Sequence, residues 1–159
     1  MSIFPAPPHA QRGMALLVSL VFLLLLTLIG LSSMQNATLQ EKMAASVTLR
    51  NQSFQGAESA LRVGESAVQL ETYSLPVCSG TTRCAPPAES STITGAGFNS
   101  TSGVTWIASG SSFYGVQNIG TTLTAVNVPS NTSTTLYRVT AVGIAGNSRS
   151  VVESIYAKY

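Results

Sequence analysis

The chain has 159 residues, a formal net charge of +2 and only 9% charged residues. That leaves room for one domain beyond any long helix, and no basic stripe of the kind that binds nucleic acid. It holds a single histidine, His9, and no aspartate. Past residue 9, then, neither a Ser-His-Asp nor a Cys-His site can be assembled, and two cysteines with scattered glutamates fall short of a zinc ligand set.

Residues 1–13, MSIFPAPPHAQRG, form a short Pro-rich leader that ends in Arg12 and Gly13. Met14 to Leu31, MALLVSLVFLLLLTLIGL, follows at once. Thirteen of these eighteen residues are Leu, Ile, Val or Phe, and no charge occurs from residue 13 to residue 40. At 1.5 Å per residue the stretch measures about 27 Å as a helix, close to the ~30 Å hydrocarbon core of a bilayer. It is read as a membrane-spanning helix. Arg12 ahead of the span, with no further positive charge until Lys42, sets the N-terminus in the cytoplasm.

Residues 32–72 continue the helix with a different character. No proline falls between Pro8 and Pro76, and Met43, Val47, Phe54, Ala57, Leu61, Gly64 and Val68 recur at helical spacing. That apolar stripe is expected to pack on the C-terminal half. Glu41, Glu58, Glu65 and Glu71 lie on the same stretch. Glutamate pairs for acid–base chemistry remain formally possible, but charges on a helix usually make a solvated face. No enzyme activity, metal or cofactor is expected. The helix should end between Tyr73 and Pro76.

Cys78 and Cys84 come next, with five residues between them. Beyond a membrane anchor they would lie in an oxidising compartment, where such a pair reads as a disulfide; two free buried thiols are the alternative. Residues 88–103 read as a polar loop. Strand signals follow at 104–108, 112–119, 122–128, 135–144 and 148–158, with Ala145-Gly146-Asn147 as the last turn. The fold class expected is α+β: a long N-terminal helix laid on an antiparallel sheet of four or five strands, with residues 73–159 as the globular head. Trp106, Tyr114 and Tyr137 are expected in its core or at its rim.

Two processing schemes fit the N-terminus. An ordinary secretory signal would be cut beside Gly30 or Ser32. A cut at Gly13–Met14 would instead leave the anchor on the mature protein. The stretches QRGMALLVSLVFLLLLTLIGLSSMQNATLQEKMA at 11–44 and RNQSFQGAESALR at 50–62 resemble type IV prepilins, and more closely the PilX-type minor pilins; LYRVTAVGIAGNSRSVVESIY at 136–156 is similar to their C-terminal strand pair. The resemblance implies cleavage after Gly13 by a prepilin peptidase and N-methylation of Met14. It further implies a single-pass inner-membrane subunit that later enters the pilus fibre, with its head in the periplasm or outside the cell. The implied partners are other minor pilins and the major pilin, met through the N-terminal helices.

One residue departs from that pattern. Most pilins of this kind have glutamate as the fifth residue after the cleavage point, and here that residue is Val18. A subunit without this carboxylate is expected at or near the pilus tip, helping to start assembly. A pseudopilin of a type II secretion system would look alike along the helix. A membrane-anchored adhesin that never assembles is the alternative from another class.

Overall fold

Nothing interrupts the helix that the proline-free interval allows: α1 runs Arg12–Gln69. The computed structural model describes residues 12–159, so the expected leader, with His9, lies outside the described residues except for Arg12 and Gly13. By internal contacts the chain divides into two units, Met1–Ala45 and Ser46–Tyr159.

In the first unit the described chain is α1 alone. Every side chain from residue 13 to residue 45 is exposed, including Leu16, Phe22, Leu25 and Ile29. The best 18-residue window has a mean hydropathy of 2.9, so this helix is long and apolar enough to cross a membrane. Its polar side chains turn inward on the backbone. Ser19 Oγ donates to Leu16 O at 2.9 Å and Thr27 Oγ1 to Leu24 O at 2.8 Å. In hydrocarbon an unbonded hydroxyl is costly, and these two are already satisfied within the helix.

The second unit joins the C-terminal part of α1 to a five-stranded sheet. Its strands are β1 (Gly97–Phe98), β2 (Thr105–Ser109), β3 (Ser112–Thr122), β4 (Thr134–Ala145) and β5 (Ser148–Lys158). Their order in the sheet is their order in the chain, and all pairs are antiparallel. The α+β expectation holds. Before the sheet come α2 (Gly80–Arg83) and a 3-10 turn at Ala88–Ser91. The expected turn at 145–147 is the tight hairpin between β4 and β5, where Gly146 takes φ +54°, a value that favours glycine.

The stripe on α1 that meets the sheet is narrower than its apolar pattern suggests. Met43, Val47 and Phe54 are exposed, while Ala57, Gly64 and Val68 are buried. Ser53 and Ala60 complete the buried line, with Gly56 and Leu61 half-buried. These are mostly small residues, and the reason is on the facing strand. A Cβ at Gly143 would stand 1.9 Å from Ser53 O and 2.5 Å from Ala57 N, so helix and sheet touch backbone to backbone. Bulky side chains could not occupy that line.

Both faces of the sheet are covered, which explains why its strands do not simply alternate. Tyr114, Val116, Tyr137, Val139 and Ala141 cluster with Ala60 and Val68 of α1. On the opposite face Val104, Trp106 and Val142 form a second core with Phe113, Ile144 and Ile93. Tyr114, Tyr137 and Trp106 are thus core residues, but of two separate cores.

The expected strand at 122–128 is absent. β3 runs on to Thr122 through an irregularity between Asn118 and Gly120, and its ladder with β4 ends at Thr122–Thr134. Residues 123–133 are therefore the connection, with Asn127 and Asn131 at positive φ and Leu123 and Val126 exposed. β3 and β5 take both edges of β4, and residues 123–133 pair with no strand. The segment read as a polar loop does contain the two-residue β1, paired with β2 at Gly97–Trp106 and Phe98–Thr105.

Candidate assembly surface

Gly13, Met14 and Val18 lie in the first turns of α1, all exposed; Met14 is 66% and Val18 49% accessible. Residues four apart share a helix face, so Val18 sits one turn below Met14 on the same side. Ser19, Phe22 and Leu26 continue that neighbourhood along the helix. No acidic side chain occurs between Gly13 and Glu41. Chemically, this surface offers only apolar contact over its first four turns. It can bury itself in lipid or against similar helices.

Cys78 and Cys84 are joined in a disulfide, with Cα atoms 5.3 Å apart, and they bracket α2. The bridged loop and its flanks, Leu75 to Ala85, present backbone carbonyls to the sheet, where three side chains take them up. Gln117 Nε2 donates to Arg83 O at 2.7 Å and to Ala85 O at 3.1 Å. Arg138 Nη1 donates to Cys84 O at 2.8 Å, while its Nε pairs with Glu153 Oε1 at 3.1 Å. Asn118 Nδ2 donates to Leu75 O at 2.8 Å, and Cys78 N donates back to Asn118 O at 2.8 Å. The loop is docked by a ladder of polar contacts rather than by apolar burial.

Two further fastenings hold the head. The Glu89 carboxylate accepts from Ser102 Oγ and from Trp106 Nε1, tying the 3-10 turn to the second core. Lys158 Nζ donates to Leu70 O at 2.6 Å and Tyr73 O at 2.9 Å, which sets a cation just beyond the C-terminal end of α1. The helix itself ends at Gln69, slightly before the expected stop. Beside it, Tyr73 packs edge-on to Tyr137 with ring centroids 5.8 Å apart. Burial, then the neighbouring Tyr114 and Tyr137 hydroxyls, push the Tyr73 phenol up to about 12.

A cavity of about 330 Å³ lies between residues 73–79 and strands β2 and β3, with Thr105, Ile107, Val116 and Asn118 among its walls. Arg83 is its one charged lining residue. Among the described residues, no cluster of three or more His, Cys, Asp or Glu side chains could hold a metal ion.

The sequence does not single out Arg138 or its partners. Gln117, Asn118, Glu153 and Lys158 were also missed. Their partners, backbone carbonyls for Gln117, Asn118 and Lys158 and the Arg138 and Thr140 side chains for Glu153, are brought near only by the fold.

The helix is also what the comparison with known proteins detects. Residues 12–62 match the PilX N-terminal family model. The match agrees with the resemblance read from the residues and is consistent with a PilX-type minor pilin of type IV pili. That PilX-type segment contains Gly13, Met14 and Val18 and reaches the small-residue stripe at Ser53–Leu61. It stops before the disulfide and the sheet. No curated protein and no solved structure matches the chain.

Proposed function

We propose that the chain is a minor pilin that takes part in initiating and assembling a type IV pilus, placed at or near the fibre tip. A PilX-type helix with an exposed apolar span supports membrane anchoring and a pilin role. In this reading a prepilin peptidase cuts after Gly13, Met14 becomes the methylated N-terminus, and the span Met14–Leu31 holds the subunit in the inner membrane. The uncut N-terminus lies on the cytoplasmic side, by Arg12. The same span later packs against the helices of other minor pilins and of the major pilin.

Val18 is the observation that carries the tip placement. In an assembled fibre the amine of Met14 would be buried among apolar helices, where a lone charge costs about 2.5–3.5 kcal/mol on insertion scales. A glutamate at the position of Val18 would neutralise the amine of the subunit docked above. Val18 cannot. A subunit of this kind fits best where no subunit is above it.

Labelling intact pili with an antibody against the sheet tests the placement. Label confined to fibre ends is expected; label spread evenly along the shaft contradicts it. Val18→Glu should raise the amount of the protein found in the shaft while leaving membrane insertion unchanged.

A further inference from the structure

The cavity of about 330 Å³ in the head has two kinds of wall. Leu75, Val77, Ile107 and Val116 supply apolar surface. Val77 and Ile107 remain 58% and 44% exposed although both line this one space. Single exposed aliphatic residues are ordinary, but two that line a common cavity leave apolar area for an occupant to cover.

The polar walls divide by what they already do. Gln117 and Asn118 donate from their amides to loop carbonyls, and Ser102 donates to Glu89. Those groups are committed to the fold. The hydroxyls of Tyr73, Ser79 and Thr105 line the same cavity and make no hydrogen bond to another described residue. Arg83 pairs with no carboxylate among the described residues and commits only Nη2, to Ser100 O at 3.4 Å. Most of the guanidinium's donors are therefore free.

No acidic side chain lines the cavity. An unpaired guanidinium among hydroxyls and aliphatic walls favours a ligand with one negative charge, acceptor oxygens and an apolar body. Size narrows the choice. A cavity of about 150 Å³ takes a benzene ring, so this one has room for a ring and a side arm of similar bulk.

We propose that the cavity binds a small carboxylic acid, its carboxylate on Arg83 and its apolar body against Val77, Ile107 and Val116. Ser79 and Arg83 ride on the loop closed by Cys78 and Cys84, so the disulfide holds the polar end of the site in place. The site lies beyond the segment matched by the PilX N-terminal model, and ligand binding there does not depend on whether the subunit enters a fibre.

Titration of the full chain in detergent micelles with hydrocinnamate, followed at the methyl resonances of Val77, Ile107 and Val116, tests the site. The acid should shift these methyls saturably and bind about fivefold more tightly than its uncharged amide, hydrocinnamamide. Arg83→Gln should bring acid and amide within about twofold of each other. Arg83 is exposed, and the bond from Gln117 goes to its backbone carbonyl, so the exchange leaves the loop's docking in place. Arg50→Gln, which removes a guanidinium elsewhere on the head, should keep the fivefold preference. Thr105→Trp, at an exposed strand position, should fill the cavity and weaken both ligands by at least about tenfold. Partition of the ligands into micelles is the same for every variant, so it cancels in these comparisons. Absence of a saturable shift at about 10 mM hydrocinnamate overturns the proposal. So does an acid that binds no more tightly than the amide, a preference that survives Arg83→Gln, or binding undiminished by Thr105→Trp.

Discussion

Gly30 and Gly143 are the same residue used in opposite ways by the two units of the chain. Nothing lies within 4 Å of where a Cβ on Gly30 would stand, whereas one on Gly143 would overlap the backbone of α1 at Ser53. Residues 13–45 make no side-chain packing of their own and present apolar surface to whatever surrounds them. In the head, helix and sheet approach so closely at Gly143 that no larger residue fits there. One unit leaves its apolar side chains exposed; the other buries a core of its own.

Substituting these two glycines sharpens the contrast most. Gly143→Ala should cost about 3 kcal/mol, as overpacking against a backbone that cannot move aside usually does. Thermal unfolding of the full chain followed by near-ultraviolet circular dichroism would measure it. Gly30→Ala should leave that transition in place, and at most firm the helix by roughly 0.5–1 kcal/mol through propensity. A comparable loss at both positions would break the distinction.

Removing the disulfide comes next. Cys78→Ser should cost about 2 kcal/mol in the chain-entropy model for so small a loop. Hydrogen exchange should quicken over residues 78–85 and stay unchanged along the helix from residue 14 to residue 45. In the native chain, alkylation should label Cys78 and Cys84 only after reduction. Smaller still, Arg138→Gln should cost about 1 kcal/mol, since it gives up the Cys84 O bond and a partly exposed ion pair. Exchange at residues 84–85 is the sensitive readout.

The least effect concerns pH. The Tyr73 phenol is raised to about 12 from an ordinary value near 10. Between those two values the unfolded chain has lost this proton and the folded chain still holds it, so stability falls as pH rises. Below pH 10 the contribution is fully present. Tyr73→Phe should flatten the decline between pH 10 and 12 in unfolding experiments.

The two units also differed in how far the sequence disclosed them. An uncharged run of apolar residues without proline is a local property, so α1 and its span were legible from composition and period alone. The strand signals at 135–144 and 148–158, with the Ala145-Gly146-Asn147 turn between them, likewise predicted the β4–β5 hairpin. What stayed hidden depends on distant pairing. Residues 123–128 have strand composition yet join no strand, and β3 already fills the near edge of β4 as far as Thr122. Met43, Val47 and Phe54 fit an apolar stripe by spacing, yet the sheet selects the small residues around Ala57 and Ala60. At the assembly surface, the absence of a carboxylate at Val18 could be read directly. The fastenings of the disulfide loop could not, since Gln117, Asn118 and Arg138 find their acceptors on a segment more than thirty residues away in the chain.

In the proposed function the apolar span stays on the mature protein as its assembly surface. Mass spectrometry of the N-terminus of the membrane-associated protein tests it most directly. A mature chain beginning at Met14, carrying one added methyl group on its amine, is the expected result. A chain beginning at Ser33 or beyond would mean that the span is a discarded secretory signal, and would contradict the account.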